Sequence, residues 1–310
     1  MVDSPTEGKR KGQQALASGM GWAETFIAVD WGTTNRRAWR IVDGVVRQEF
    51  EDGRGVLSVE KADFPAAVGE IRDRLGDHPM LMAGMIGSNR GWVEAPYVPC
   101  PAGLGDIAAA LSWAEPRRTA IVPGLSSLDP PDVMRGEEVQ ILGAGDAGLL
   151  PADGLVCHPG THNKWVRLSG GRIAHFRTIM TGEMFSLLKS HSILSDLLAD
   201  DMAVDDAFLE GVARGLEGHA LTAELFAVRA GVLLGKRRKQ DATDYVSGLL
   251  IGADVETGLR KGGDELVFVM GRPELTRLYA AAISAAGRRA KEIDGETAFL
   301  AGIKAIAGLI

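Results

Sequence analysis

The sequence predicts a two-lobed α/β protein whose halves are variants of one unit, and three observations carry that reading. The pentapeptide Gly32-Thr33-Thr34-Asn35-Arg36 returns in the second half as Gly160-Thr161-His162-Asn163-Lys164. Each copy sits in the same frame of an apolar β-type run, a Gly-Thr turn, a second run, a tight turn and a third run, which is a three-strand meander. Strand and helix signals then alternate after each meander, and 310 residues with a repeat near the middle exceed what one compact core usually holds. The expected organisation is a first lobe over residues 24–150, a second over 151–310, and a ligand cleft between them. Residues 1–23 are polar with no apolar stretch and are expected to be a disordered tail, within which Met20 offers an alternative start.

The first meander is read from Thr25 to Trp31, from Arg37 to Val42 and from Val45 to Phe50, with Asp43-Gly44 as its second corner. A helical pattern over 64–75 follows, and then Met80-Leu81-Met82-Ala83-Gly84-Met85-Ile86 reads as a buried strand. Residues 84–103 mix Ser88, Asn89, Arg90, Trp92, Glu94 and Tyr97 with prolines, which is irregular for an element and aromatic for a linker, so a binding loop is expected. A strand at 118–123 and a helix at 135–149 complete the first lobe. In the second lobe the meander runs from Gly154 to His158, Trp165 to Leu168 and Arg172 to Met180, followed by a helical region over 185–234 broken near Asp200-Asp201 and Gly218. A helix at 245–259 leads to a strand at 265–270, the turn Gly271-Arg272-Pro273 and a helix at 274–286, a βα unit whose helix N-terminus can face an anion. An Ala-Gly-rich helix over 297–306 ends the pattern.

Composition excludes several classes. A net charge of -7 disfavours nucleic acid or an anionic membrane as partner, because both require an extended basic face. The two cysteines, Cys100 and Cys157, have no metal-type spacing and fit a reduced, cytoplasmic protein. No apolar run reaches the roughly 20 residues that span a bilayer.

The chemistry concentrates at the repeat and just ahead of its second copy. A Gly-Thr turn brings backbone close to a phosphate and offers amides and hydroxyls to its oxygens. One such turn is commonplace; two in matching frames are difficult to attribute to chance. Asp30, two residues before the first turn, is suited to a Mg²⁺ ion beside phosphates, although a carboxylate there also caps turn amides. The corresponding position of the second copy is His158. His158 and His162 have metal-like spacing, but Pro159-Gly160 precludes a helix face and with it a zinc site. Lys164 and Arg36 are candidates to neutralise phosphate charge, although either could equally decorate a strand. Glu137 and Glu138 open a helix, which suits an N-terminus on electrostatic grounds alone, yet a carboxylate there could equally accept a proton from a hydroxyl nucleophile.

Together these segments resemble the actin-like sugar kinase and heat-shock ATPase superfamily. Asp30-Trp31-Gly32-Thr33-Thr34-Asn35 is similar to its first phosphate loop, and Gly160-Thr161-His162-Asn163-Lys164 to its second. Gly136-Glu137-Glu138 resembles the Gly-Asp-Gln-Gln motif of FGGY-type carbohydrate kinases, which makes Glu137 the implied base. Gly271-Arg272-Pro273 resembles the adenosine segment. Three longer runs, 85–97, 157–165 and 181–185, resemble the 2-dehydro-3-deoxygalactonokinase family. The resemblance implies two ribonuclease H-like lobes with mixed sheets flanked by helices. It also implies ATP and Mg²⁺ at the site, and transfer of phosphate to the terminal hydroxyl of 2-dehydro-3-deoxy-D-galactonate in the De Ley-Doudoroff galactonate pathway. Ser88, Asn89, Arg90, Trp92 and Tyr97 are then the candidates for the sugar acid, with Arg90 equally readable as a surface residue. Glu137 departs from the Asp usual in larger sugar kinases, and His162 from a position usually small. The expected partners are ATP and a small sugar acid, with no nucleic acid or membrane; a homodimer is compatible with the sequence. Two rivals share the fold, an exopolyphosphatase-like hydrolase and a non-catalytic ATP-binding protein.

Overall fold

The computed structural model describes residues 22, 24–199, 201–260 and 263–310. The expected tail and Asp200 of the expected helix break therefore fall outside the described residues, apart from Trp22. The chain forms two compact units. One comprises residues up to Ala95, Leu111–Val122 and Ile306–Ile310; the other comprises Pro96–Ala110 and Pro123–Ala305.

The first unit is built on strands β1 (Thr25–Trp31), β2 (Arg36–Val42), β3 (Val45–Asp52) and β4 (Met80–Gly84), with helix α1 (Phe64–Leu75) between the last two. Strands β6 (Ser112–Glu115) and β7 (Thr119–Ile121) complete a six-stranded sheet in the order β3-β2-β1-β4-β7-β6. The meander is antiparallel, while β1, β4 and β7 run parallel. β4 is buried along its whole length, as its unbroken apolar sequence requires of an interior parallel strand. In α1, Phe64, Ala67, Val68, Ile71 and Leu75 are buried at helical spacing and join Ile27, Val29, Trp31 and Met82 in one core.

The second unit repeats this plan. Strands β10 (Gly154–His158), β11 (Asn163–Ser169) and β12 (Arg172–Ile179) form the meander, and β13 (Val267–Gly271) and β14 (Ala290–Asp294) add parallel strands to give the order β12-β11-β10-β13-β14. Both sheets thus place a meander on one side of the first strand and parallel strands on the other, the ribonuclease H-like arrangement of the actin-like fold. A small sheet of β5 (Tyr97–Pro99), β8 (Gly124–Leu128) and β9 (Pro131–Met134) also belongs to this unit, with the short helix α2 (Leu104–Ala109).

Helices α3 (Glu137–Asp146), α4 (Thr181–His191), α5 (Asp206–Leu216), α6 (Leu221–Leu233), α7 (Ala242–Leu259), α8 (Pro273–Ala285) and α9 (Gly295–Ala307) supply the rest. The sequence reading groups residues 123–150 with the first lobe, whereas the contacts group them with the second unit. The reason lies in two glycines. A Cβ on Gly143 of α3 would stand 2.2 Å from the Gly302 amide of α9, and one on Gly302 would stand 2.0 Å from the Val139 carbonyl. The helices touch backbone to backbone, so α3 is seated on α9.

The register of the two hairpins corrects one reading. Asp30 lies opposite Arg37, but His158 lies opposite Lys164, so the second turn is one residue shorter. Arg37, and not Arg36, is the counterpart of Lys164, and Arg36 is the counterpart of Asn163. A slip of one residue exchanges the faces of a strand. Arg36 and Asn163 are accordingly each fully buried, and the role proposed for Arg36 toward phosphate does not fit its position. Its guanidinium bonds Asp52, Glu70 and the Ala67 carbonyl inside the unit.

Candidate functional site

In the first unit the Gly-Thr turn is held from behind. The Gly55, Val56 and Leu57 amides donate to the carbonyls of Thr34, Gly32 and Thr33 at 2.9, 3.0 and 3.2 Å. Those carbonyls are thereby occupied, and Thr33 and Thr34 are left exposed. Asn35 donates from Nδ2 to Glu51 at 3.4 Å. Gly55 has to be glycine, since a Cβ would lie 2.3 Å from the Thr33 carbonyl. Asp30, at the end of β1, is one-fifth exposed and pairs with Arg37 at 3.2 Å. Gly84 is close beside it, with positive φ and room for a Cβ only 3.3 Å from Asp30 Oδ1.

Ser88 is buried and its hydroxyl accepts the Arg90 amide at 3.3 Å, while Asn89 and Arg90 are exposed and Trp92 is half-buried against the first core. Tyr97 belongs to the second unit, where it is exposed and lies 4.3 Å beneath the Arg135 guanidinium. The expected irregular loop is thus divided, ending in a paired strand.

The second unit gathers the ionisable groups. Gly136, with φ of 114°, caps α3 and turns the two glutamates to different tasks. Glu138 is fully buried and folds back to accept the Gly136 amide at 2.7 and 2.8 Å. Burial, with the Glu137 charge beside it, raises its carboxyl to about 8. Glu137 is one-fifth exposed and forms a 3.1 Å ion pair with Lys164 Nζ, and it accepts the Arg135 amide at 3.1 Å. Its own burial opposes ionisation, but the Lys164 charge beside it outweighs that and holds Glu137 below the usual glutamate range.

His158 bonds Gln140 Oε1 through Nε2 at 2.9 Å. With that oxygen as acceptor, Nε2 carries a proton, and burial lowers the pKa of the ring. Gln140 also meets the adenosine-type turn: a Cβ on Gly295 would lie 2.9 Å from Gln140 Oε1 and 3.2 Å from Gly271 Cα. Gly271 ends β13, Arg272 caps α8 and Pro273 opens it. Burial pushes both thiols up, Cys100 to about 11 and Cys157 well above the usual thiol range.

The second turn abuts the start of α4. The Glu183 amide donates to the Thr161 carbonyl at 2.9 Å, Glu183 pairs with His162, and a Cβ on Gly182 would stand 2.5 Å from the Gly160 carbonyl. A cavity of about 240 Å³ opens here. Gly160, Thr161, Thr181 and Gly182 form one part of its wall, and Leu278 and Tyr279 of α8 another. Asn163 is spent elsewhere: its amide nitrogen donates to buried Asp254 at 2.8 Å and its oxygen faces Cys157, so only its backbone remains for a ligand. Asp254 was not anticipated; a lone aspartate on an apolar helix gives no motif to read.

The model of the 2-keto-3-deoxy-galactonokinase family matches residues 30–306. The chain belongs to that family. It is 39% identical over 298 residues to a Rhizobium meliloti protein named Probable 2-dehydro-3-deoxygalactonokinase DgoK1, covering 92% of this chain and 97% of the relative. It is 38% identical over 288 residues to the 2-dehydro-3-deoxygalactonokinase of Escherichia coli, covering 91% and 97%. Among solved structures, one of a Sinorhizobium meliloti protein of the same assignment superposes with a TM-score of 0.85 at 40% identity, covering 91% of this chain and 98% of that one. The matched residues include both Gly-Thr turns, the Glu137 helix and the residues that line the cavity. Among the described residues no helix is long and apolar enough to cross a membrane.

Proposed function

We propose that the protein is an ATP-dependent kinase of 2-dehydro-3-deoxy-D-galactonate that phosphorylates the terminal hydroxyl to give the 6-phosphate. Family membership supports the reaction, and one observation supports the chemistry: Glu137 is the partly open, ionised member of an acidic pair whose other member is closed in and capped. In this reading Glu137 accepts the proton of the C6 hydroxyl as its oxygen bonds to the γ-phosphorus and the bond to the leaving β-phosphate oxygen breaks, releasing ADP. Lys164 keeps Glu137 ionised before transfer. Its ammonium also offsets charge at the phosphates, which the amides and hydroxyls of Gly32, Thr33, Thr34, Gly160 and Thr161 are proposed to hold. His162, paired with Glu183, borders that turn. The cavity walled by α4 and α8 is the proposed adenosine pocket, with Gly271, Arg272 and Pro273 at the head of α8.

Asp30 fits a Mg²⁺ ion: it is a hard oxygen donor, partly open, with a glycine beside it where a side chain would crowd the carboxylate. A bound Mg²⁺ would neutralise phosphate charge during transfer. Ser88, Asn89, Arg90 and Trp92 are proposed for the sugar acid, together with Tyr97. A cytoplasmic location accords with the free, buried thiol of Cys157.

The deciding experiment is ADP release from MgATP with 2-dehydro-3-deoxygalactonate or its gluconate epimer. Turnover on the first is expected. No ADP above a sugar-free control with either acid removes the kinase reading.

A further inference from the structure

The cavity wall is organised from behind by one buried carboxylate. Asp254 of α7 is 2% exposed and accepts hydrogen bonds from four donors. Asn163 Nδ2 and Trp165 Nε1 reach Oδ1 at 2.8 and 2.6 Å; Tyr279 Oη reaches Oδ2 at 2.6 Å, and the Thr181 hydroxyl bonds the same oxygen. The donors come from three elements. Asn163 and Trp165 begin β11 directly after the Gly160-Thr161 turn, Thr181 opens α4, and Tyr279 lies on α8. Thr181 and Tyr279 are themselves cavity wall, and α7 adds Ser247, Leu250 and Ile251 to it from the turns preceding Asp254. Asp254 is therefore bonded at once to the phosphate-type turn's exit strand, to the helix start against that turn, and to the opposite wall.

A carboxylate withdrawn from water is costly unless its lone pairs are filled. Here the donors fill both oxygens, and they come from three separate elements, β11, α4 and α8. An arrangement needed only for folding could use apolar packing at less cost. We propose that Asp254 is a positioning residue for nucleotide: it fixes the spacing between the second hairpin with α4 on one side and the α8 wall on the other. The proposal rests on the reading of this cavity as the adenosine pocket.

The test is titration calorimetry of the full-length protein with MgADP, alongside KM for ATP and for the sugar acid. Asp254→Asn keeps the size but turns an amide NH₂ toward donors. It is expected to weaken ADP and raise KM for ATP by about tenfold, the scale of one lost charge-assisted hydrogen bond, leaving KM for the sugar acid within about twofold. Tyr279→Phe and Thr181→Val each remove one donor while keeping shape, and each should weaken ADP by about threefold or more. They carry the test should Asp254→Asn fail to fold. A merely structural Asp254 would lower the folded fraction and the melting temperature while leaving the ADP dissociation constant of the folded molecules unchanged. Wild-type ADP affinity in folded variants overturns the positioning role. Absence of ADP binding by the wild-type protein instead overturns the reading of the cavity.

Discussion

Replacing each of the adjacent glutamates by glutamine separates two roles that their sequence leaves indistinguishable. Glu137 is held ionised by Lys164 at 3.1 Å, whereas Glu138 is held protonated by burial, at about 8. At pH 7 a group of that pKa is ionised in only about one molecule in ten. Glu138→Gln therefore exchanges one neutral group for another of the same shape. Its amide oxygen still accepts the Gly136 amide, and kcat should stay within about threefold. Glu137→Gln removes the proposed proton acceptor, and kcat should fall by about 10² or more with ATP affinity retained.

Stability gives an independent reading of the same pair. Glu138 has a folded pKa above its ordinary 4.5, so as pH rises through 4.5 the unfolded chain loses its proton first. The folded state then binds the extra proton, and stability falls between about pH 4.5 and 8, by up to about 1.4 kcal/mol per pH unit. Glu138→Gln lacks that loss, so the wild-type melting temperature should decline relative to the variant across this window. The assays are coupled ADP release at saturating substrates and thermal melts from pH 5 to 8. A crippled Glu138→Gln beside an active Glu137→Gln would refute the assignment, and a pH-independent difference in melting would refute the ionisation states.

Three further outcomes follow. Lys164→Met leaves Glu137 without its counter-charge at a site where Lys164 is 3% exposed; unfolding free energy measured in urea should drop by about 3 kcal/mol, the lower end for breaking a buried pair because Glu137 retains some water. Asp30→Asn should raise the Mg²⁺ concentration for half-maximal rate, and an unchanged Mg²⁺ dependence removes Asp30 from that role. Gly302→Ala sets a methyl 2.0 Å from the Val139 carbonyl and should cost about 1–3 kcal/mol. It should also lower kcat, because α3 must move; a folded variant with wild-type kcat would show that Glu137 tolerates the shift.

The meanders, the buried β4 and the βα unit at Gly271 were legible because each is local: apolar alternation, a glycine turn, a proline in the first helical turn. The strands β8, β9 and β14 were not. Ser126-Ser127 and Lys291-Glu292 break the apolar pattern, and pairing with a neighbouring strand decides these segments. The repeated pentapeptide showed where the two hairpins lie but misaligned their second strands, since identity of Asn35 with Asn163 conceals a turn shorter by one residue. That slip made Arg36 a candidate for phosphate, whereas its buried bonds to Asp52, Glu70 and Ala67 fit the other reading, a strand residue. Of the site, the acidic pair was visible and the resemblance pointed to Glu137, but the different environments of the two carboxyls were not legible, because Gly136 backbone geometry and the Lys164 partner are tertiary facts. Asp254 had no signature, being defined only by donors 25 to 91 residues away.

The glycine crossing of α3 on α9 has a consequence for synthesis. The helix that carries Glu137 has its backbone support more than 150 residues downstream, in the last helix of the described chain. A nascent chain can complete both meanders while Glu137 still lacks a fixed position. A product interrupted ahead of α9 would leave α3, and Glu137 with it, without this backbone support, and the Gly271 turn without Gly295 against it.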